Sequence, residues 1–87
     1  MYSQRILKLG AKFEGRLEAV FLAGALDYVK YNEESLALEI FCEHICEYDV
    51  ALSVDEFKEI QELALDMGFE LGNAPFKYLQ ALTKTEE

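Results

Sequence analysis

The sequence contains no lysine or arginine between Lys30 and Lys58, a stretch of 27 residues. The acidic residues in this stretch are Glu33, Glu34, Glu39, Glu43, Glu47, Asp49, Asp55 and Glu56. They alternate with strongly apolar positions, which excludes a solvated acidic tail. A helix that packs into a core while showing only negative charge to solvent forms a surface suited to a basic partner.

Residues that often carry chemistry are also scarce. The chain has one histidine, His44, and two cysteines, Cys42 and Cys46. His44 points away from the cysteine pair on a helix, and no further His or Cys could complete a tetrahedral zinc site. There is no glycine-rich phosphate loop and no Ser/His/Asp arrangement. We therefore predict no catalytic residues, no metal and no cofactor, and expect a binding protein that is not an enzyme.

No apolar run approaches the roughly 20 residues that a membrane-spanning helix needs. Residues 1–5 also lack the apolar core of a secretory signal. These absences predict a cytoplasmic protein without membrane contact, whose cysteines stay reduced. Because no Gly-, Ser- or Pro-rich linker interrupts the chain, residues 1–82 are predicted to form one domain. Residues 83–87 are expected to fray.

Charge is unevenly distributed along the 87 residues, whose formal net charge is −9. Residues 1–16 carry a net charge of +3, whereas residues 33–70 carry −11. Nucleic acid is not expected as a direct ligand, since binding phosphates requires a basic patch. The asymmetry instead indicates which part of the surface a basic partner would approach.

Apolar residues recur at helical spacing, which predicts an all-α fold: a small antiparallel bundle of four helices plus a short C-terminal helix. The first helix carries an apolar stripe formed by Tyr2, Ile6, Leu9 and Phe13. Its outer side carries a basic stripe formed by Arg5, Lys8 and Lys12. The second helix, residues 17–30, is almost wholly apolar, so we expect it to be largely buried, with close packing at Gly24.

Capping signals predict the limits of the later helices. Asn32 is expected to cap the third helix, which should end near Tyr48. Ser53 and Glu56 have the spacing of a capping box for the fourth helix, and Gly68 is placed to end it. The last helix is predicted from Asn73 as its cap, Pro75 in its first turn and residues 76–82 as its body.

The third helix divides into two faces at about 100° per residue. A broad apolar face comprises Ala37, Leu38, Phe41, Cys42 and Ile45. Opposite it, Glu39, Glu43 and Glu47 follow one another at four-residue spacing; we call these three residues the acidic ridge. Two interpretations of the ridge stay open. It is either a solvated face on a helix held by its core, with or without the basic stripe of the first helix beside it, or a surface for an external basic partner.

Two alternatives from other functional classes also stay open. Glu34-Ser35-Leu36 at the start of the third helix resembles the Asp-Ser-Leu segment at which acyl carrier proteins bear phosphopantetheine. Here Glu34 replaces the aspartate, and no glycine precedes the segment. A generic helical adaptor or dimerisation protein would account for the same composition.

A resemblance covers most of the chain and rests on the order of several short segments. These are Leu7-Lys8-Leu9-Gly10, Phe13-Glu14-Gly15-Arg16-Leu17, Leu36-Ala37-Leu38-Glu39-Ile40, Cys42-Glu43, Tyr48-Asp49-Val50 and Met67-Gly68-Phe69. Together they resemble the MafI family of immunity proteins. The resemblance implies a cytoplasmic protein that neutralises the C-terminal toxin domain of a cognate effector, in a polymorphic-toxin or contact-dependent inhibition system.

The resemblance also implies the kind of partner. Related systems often carry ribonuclease toxins, including EndoU-like enzymes, and a nuclease needs a basic surface to hold RNA. The expected toxin-binding residues are therefore the acids of the third helix and its ends, with a tyrosine as an interface anchor: Glu33, Glu34, Glu39, Glu43, Glu47, Tyr48 and Asp49. Tyr31, which also lies close to the acids, is a second candidate anchor, and the tyrosines in general, Tyr78 among them, are expected mostly at the edges of the core. The sequence leaves the oligomeric state open.

Overall fold

A computed structural model of the chain describes residues 1–84. Its five α-helices are α1 (Ser3–Ala11), α2 (Ala19–Asp27), α3 (Glu34–Glu47), α4 (Val54–Asp66) and α5 (Leu79–Leu82). Two 3₁₀ turns, Tyr28–Tyr31 and Phe76–Tyr78, follow α2 and precede α5. The predicted all-α fold is confirmed, with four longer segments and a short C-terminal helix.

Residues 3–16, which comprise α1 and the turns after it and are called the α1 segment, run antiparallel to α4. Three ion pairs between the two show this direction. Residue numbers rise along the first segment while they fall along the second, in the pairs Arg5–Asp66, Lys12–Glu59 and Arg16–Glu56. The predicted apolar stripe faces inward, because Ile6, Leu9 and Phe13 are buried and Tyr2 is half-buried. On α4, the inward-facing residues are again those expected from helical spacing: Phe57, Ile60, Leu63, Ala64 and Met67.

Helix α3 supplies the centre of the core. All five residues of its predicted apolar face are at most 1% exposed, namely Ala37, Leu38, Phe41, Cys42 and Ile45. The Phe41 ring meets the Phe13 ring edge-to-face, with 5.1 Å between centroids. Aromatic pairs favour this geometry because the positive edge of one ring meets the negative face of the other. Helices α1, α2 and α5 all pack against α3.

The predicted burial of the second helix is wrong. Only Leu22 and Ala25 are buried in α2, while Ala19, Ala23 and Gly24 are exposed and Val20 is 66% exposed. Within residues 1–84, the helix packs mainly on α1 and α3 with one side and leaves the other exposed. Within residues 1–84, no helix combines the length and the apolar character needed to cross a bilayer.

Close packing occurs at Gly10 of α1 and not at Gly24. A Cβ atom added to Gly10 would lie 2.8 Å from Leu26 Cδ1, whereas one added to Gly24 would meet nothing within 4 Å. We expect Gly24→Ala to raise the free energy of unfolding by about 0.5–1 kcal/mol, because alanine favours helix over glycine. The free energy of unfolding of Gly10→Ala should lie at least about 1 kcal/mol below that of Gly24→Ala, because Leu26 must move. Urea denaturation of both variants compares them, and equal stability would contradict the packing at Gly10.

The predicted limits of α4 are confirmed. Ser53 Oγ accepts a hydrogen bond from the Glu56 backbone N–H at 3.1 Å, and the Ser53 N–H donates to Glu56 Oε1 at 2.9 Å. Gly68, with φ of 92°, follows the last turn in the left-handed conformation that glycine adopts without strain.

The expected caps Asn32 and Asn73 are wrong. Asn32 is left-handed at φ 60° and ends the 3₁₀ turn after α2, so Glu33 takes the position before α3. The Asn73 side chain donates to Glu70, and Pro75, after a cis peptide bond, directly precedes the 3₁₀ turn.

The start of the predicted C-terminal tail also differs from the expectation. The Leu52 N–H donates to the Leu82 carbonyl at 3.0 Å, and the Lys84 N–H donates to the Leu52 carbonyl at 2.9 Å. These hydrogen bonds satisfy backbone groups of both segments. They hold Thr83 and Lys84 beside the α3–α4 link. The rest of the predicted tail, residues 85–87, lies outside the described residues.

Candidate partner-binding surface

The acidic ridge lies on α3 opposite the core, as its register predicted. Glu43 and Glu47 are exposed, and Glu39 is half-buried. Within residues 1–84, no ridge carboxylate forms an ion pair with a lysine or arginine; the nearest basic group is His44, whose Nδ1 lies 3.7 Å from Glu47 Oε1. The ridge therefore presents three carboxylates whose charge no lysine or arginine of the described chain neutralises at close range.

The basic stripe of the first helix forms no ion pair with the ridge in the described part of the chain. Arg5 and Lys12 pair with α4, with nitrogen–oxygen distances of 2.9 and 2.7 Å. Lys8 is exposed and forms no ion pair in the part of the chain that the structure describes. The interpretation of the ridge as a face balanced by the first helix thus loses its expected partner.

A groove of about 560 Å³ adjoins the ridge, between α3 and the C-terminal segment. Its α3 side carries three carboxylates, from Glu43, Glu47 and Asp49. The remaining lining is apolar or aromatic and comprises Cys46, Ala74, Pro75, Tyr78, Ala81 and Leu82. Tyr78 is 53% exposed. The groove therefore combines an acidic side with an apolar and aromatic side.

Two local features shape the α3 side of this groove. Asp49 follows the end of α3 with φ of 51°, a left-handed conformation in which Asp and Asn are tolerated better than most residues. The Cys46 thiol lies 3.6 Å from the Pro75 carbonyl oxygen, and burial raises its pKa. A raised thiol pKa keeps Cys46 neutral at pH 7, so the negative charge of the groove comes from its carboxylates.

Glu34 lies apart from this surface because it is engaged within the chain. Its carboxylate accepts hydrogen bonds from the Ser3 hydroxyl, the Met1 amine and the Tyr2 backbone N–H. The Ser3 hydroxyl and the Met1 amine are the main causes that lower the Glu34 pKa. Glu34 thus ties the start of α3 to the start of α1, and its predicted contact with a toxin has no support from the geometry.

The remaining predicted residues flank the ridge. Tyr48 stacks on Phe21 of α2 with 4.7 Å between ring centroids and is still 47% exposed. Partial burial raises the Tyr48 pKa, and the carboxylates of Glu47 and Glu18 add to the rise. Glu33 is exposed just before α3. Ser35, the residue of the acyl-carrier alternative, is exposed in the first turn of α3.

Sequence reasoning missed the far side of the groove. Tyr78, Ala81 and Leu82 approach α3 only through the chain fold, about 30 positions after the ridge. Tyr78 was expected at the edge of the core, and its exposure is the one property that marks it as an interface residue.

Neither metal coordination nor similarity to known proteins adds to these observations. Among residues 1–84, no group of three or more His, Cys, Asp and Glu side chains could hold a metal ion. Comparison of the chain with protein-family models, curated proteins and solved structures finds no match.

Proposed function

We propose that the chain is an immunity protein that binds and neutralises the C-terminal toxin domain of a cognate polymorphic-toxin or contact-dependent inhibition effector. One observation carries the proposal. The acids Asp66, Glu59 and Glu56 of α4 each take a basic side chain of the α1 segment, whereas the acidic ridge takes none within the described residues. On α3, the ridge is therefore a continuous row of carboxylates open to an external cation.

The proposed toxin is a ribonuclease, such as an EndoU-like enzyme, whose basic RNA-binding surface faces the ridge. Carboxylates of α3 would then occupy the positions of RNA phosphates, so that inhibition proceeds by occlusion and involves no catalysis. Protection calls for tight binding: a Kd of about 1 nM corresponds to roughly −12 kcal/mol. A standard interface of about 800 Å² per partner can supply that free energy when it is well packed.

The residues proposed to contact the toxin are Glu39, Glu43, Glu47 and Asp49, with Tyr48 and Glu33 at the margins. Glu34 is left out because its carboxylate is already bound to α1. Charge on the ridge would mainly speed encounter and set orientation, while Tyr48 and the groove would supply apolar contact. The resemblance to MafI immunity proteins supports the same partner and a cytoplasmic location.

A growth assay tests the proposal. Cells that express the toxin domain of the proposed cognate effector should survive when they also express the chain. The ridge variant Glu39→Gln/Glu43→Gln/Glu47→Gln should protect poorly, because it removes the charge that attracts the toxin. A control variant with the same change in net charge, Glu14→Gln/Asp55→Asn/Glu62→Gln, alters exposed acids outside the ridge.

The control variant should protect as well as the native chain. Absence of protection by the native chain would refute the immunity function. Equal protection by the ridge and control variants would keep the function but remove the ridge from the interface. Immunoblots and circular dichroism of both variants establish that expression and folding are unchanged.

A helical adaptor or dimerisation protein is a second candidate, and one observation favours it. The outer side of α2 exposes Ala19, Val20, Ala23 and Gly24, and such apolar strips often serve in protein association. This candidate predicts that the native chain gives no protection in the growth assay.

A further inference from the structure

We propose that the groove beside the ridge binds an arginine side chain from a basic segment of the partner. The guanidinium would lie between the carboxylates at the end of α3 and the ring of Tyr78. This inference rests on the proposed function, because it specifies the chemistry by which the same surface recognises its toxin.

The charge of the groove favours a cation. Glu43, Glu47 and Asp49 supply three carboxylates along one side, and no lysine or arginine belongs to the lining of the described groove. Lys77 lies nearby, with its Nζ 5.1 Å from the centroid of the Tyr78 ring, but it is not part of the lining. A positively charged group from outside would therefore meet carboxylates on one side without displacing an internal ion pair.

The apolar side of the groove favours arginine over lysine. Pro75, Ala81 and Leu82 offer apolar surface to the methylene stem of a long side chain. The exposed Tyr78 ring offers a face on which a planar guanidinium can stack while its N–H groups reach a carboxylate. A lysine ammonium is a compact, strongly hydrated charge and cannot form the same planar, forked contact.

The size of the groove indicates that the arginine arrives as part of a segment. Its volume of about 560 Å³ lies within the range of about 300–1,000 Å³ typical of ligand pockets. That space exceeds what one side chain fills, so neighbouring residues of the partner would enter with it. The occupant is thus a short basic stretch of protein with one arginine as its anchor.

Binding of labelled nona-arginine and nona-lysine to the full chain tests the preference without the toxin. In fluorescence anisotropy at physiological ionic strength, nona-arginine should bind at least about fivefold more tightly than nona-lysine, because only arginine stacks and forks. Equal affinity for the two peptides would overturn the inference, since charge alone would then explain binding.

Two matched pairs of variants locate the binding. Ala81→Leu narrows the groove without adding an aromatic face and should weaken nona-arginine binding severalfold, whereas Gln80→Leu, at an exposed neighbour outside the lining, should not. Glu43→Gln/Glu47→Gln should weaken it more than the charge-matched Asp55→Asn/Glu62→Gln. Tyr78→Leu should lower the preference for arginine over lysine to near one. Equal effects within either pair, or an unchanged preference in Tyr78→Leu, would place the peptide elsewhere.

The growth assay separates failure of this inference from failure of the proposed function. If the native chain protects cells but the peptides show no preference for arginine, the groove inference fails alone. If the peptides select the groove but the native chain gives no protection, the immunity function fails and the groove serves another basic partner.

Discussion

Phe41→Ala is expected to lower the free energy of unfolding by about 3–5 kcal/mol, the upper range for a single core truncation. Phe41 is 1% exposed, lies on the central helix and meets Phe13 edge-to-face at 5.1 Å. Truncation removes apolar surface from the core and leaves a cavity, because neighbouring helices collapse only partly. Since small domains are stable by only about 5–15 kcal/mol, this loss would remove a large part of the total stability and raise the unfolded fraction.

Urea denaturation followed by circular dichroism measures this change. Val20→Ala is the matched control, because Val20 is also apolar but is 66% exposed on α2. It should change stability by less than about 0.5 kcal/mol. Comparable losses in the two variants would contradict both the central position of α3 and the exposure of the outer side of α2.

Arg16→Ala is expected to lower the free energy of unfolding by about 2–3 kcal/mol at pH 7, a large effect for a residue at the surface. The guanidinium donates to both carboxylate oxygens of Glu56, at 2.7 and 2.9 Å, and to the Ala51 carbonyl oxygen at 2.7 Å. It also lies 4.4 Å from the centroid of the Phe13 ring. Its removal leaves Glu56, whose side chain is 13% exposed, without its cation.

The pH dependence of this effect follows from Glu56. Its bonds to Arg16, assisted by the Ser53 cap, lower the Glu56 pKa from 4.5 to about 2. A lowered folded-state pKa contributes stability that is fully present above pH 4.5 and is lost as pH falls toward 2. The contribution is at most about 3 kcal/mol, and solvent screening reduces it because Arg16 is 37% exposed.

Urea denaturation at pH 7 and pH 3 tests the account of Arg16. The stability difference between the native chain and Arg16→Ala should shrink at the lower pH, where Glu56 is almost fully protonated in the unfolded state. Arg5→Ala removes a more exposed pair and should cost less than about 1 kcal/mol at either pH. A difference that is unchanged between pH 7 and pH 3 would show that the ion pair does not stabilise the fold.

Helical spacing predicted most of the fold because it reports which residues of one helix share a face. It predicted the inward stripe of α1, the apolar face of α3 and the capping box of α4, all of which are local properties. It was wrong about α2, because an apolar composition does not tell how many sides of a helix have neighbours. In a chain of 87 residues there is too little protein to cover every apolar helix on all sides.

The part of the candidate site that lies on a single helix could be predicted from the sequence, and the part formed by two segments could not. The register of α3 was enough to place Glu39, Glu43 and Glu47 opposite the core. The groove instead joins the end of α3 to Tyr78 and its neighbours, which no periodic pattern connects. Glu34 was predicted as a toxin contact because it is an acid at the start of a helix. Its carboxylate is instead hydrogen-bonded to Tyr2 and Ser3, which lie more than 30 residues away in sequence and could not be recognised as partners from the local pattern.

The most direct test of the central claim is the affinity of the chain for the C-terminal toxin domain of the proposed cognate effector, measured against salt concentration. The native chain and the Glu14→Gln/Asp55→Asn/Glu62→Gln control should bind with similar Kd values and a steep salt dependence. The Glu39→Gln/Glu43→Gln/Glu47→Gln variant should bind at least about tenfold more weakly, with a shallower salt dependence. Equal affinity and equal salt dependence in the two variants would contradict the ridge as the toxin-binding surface.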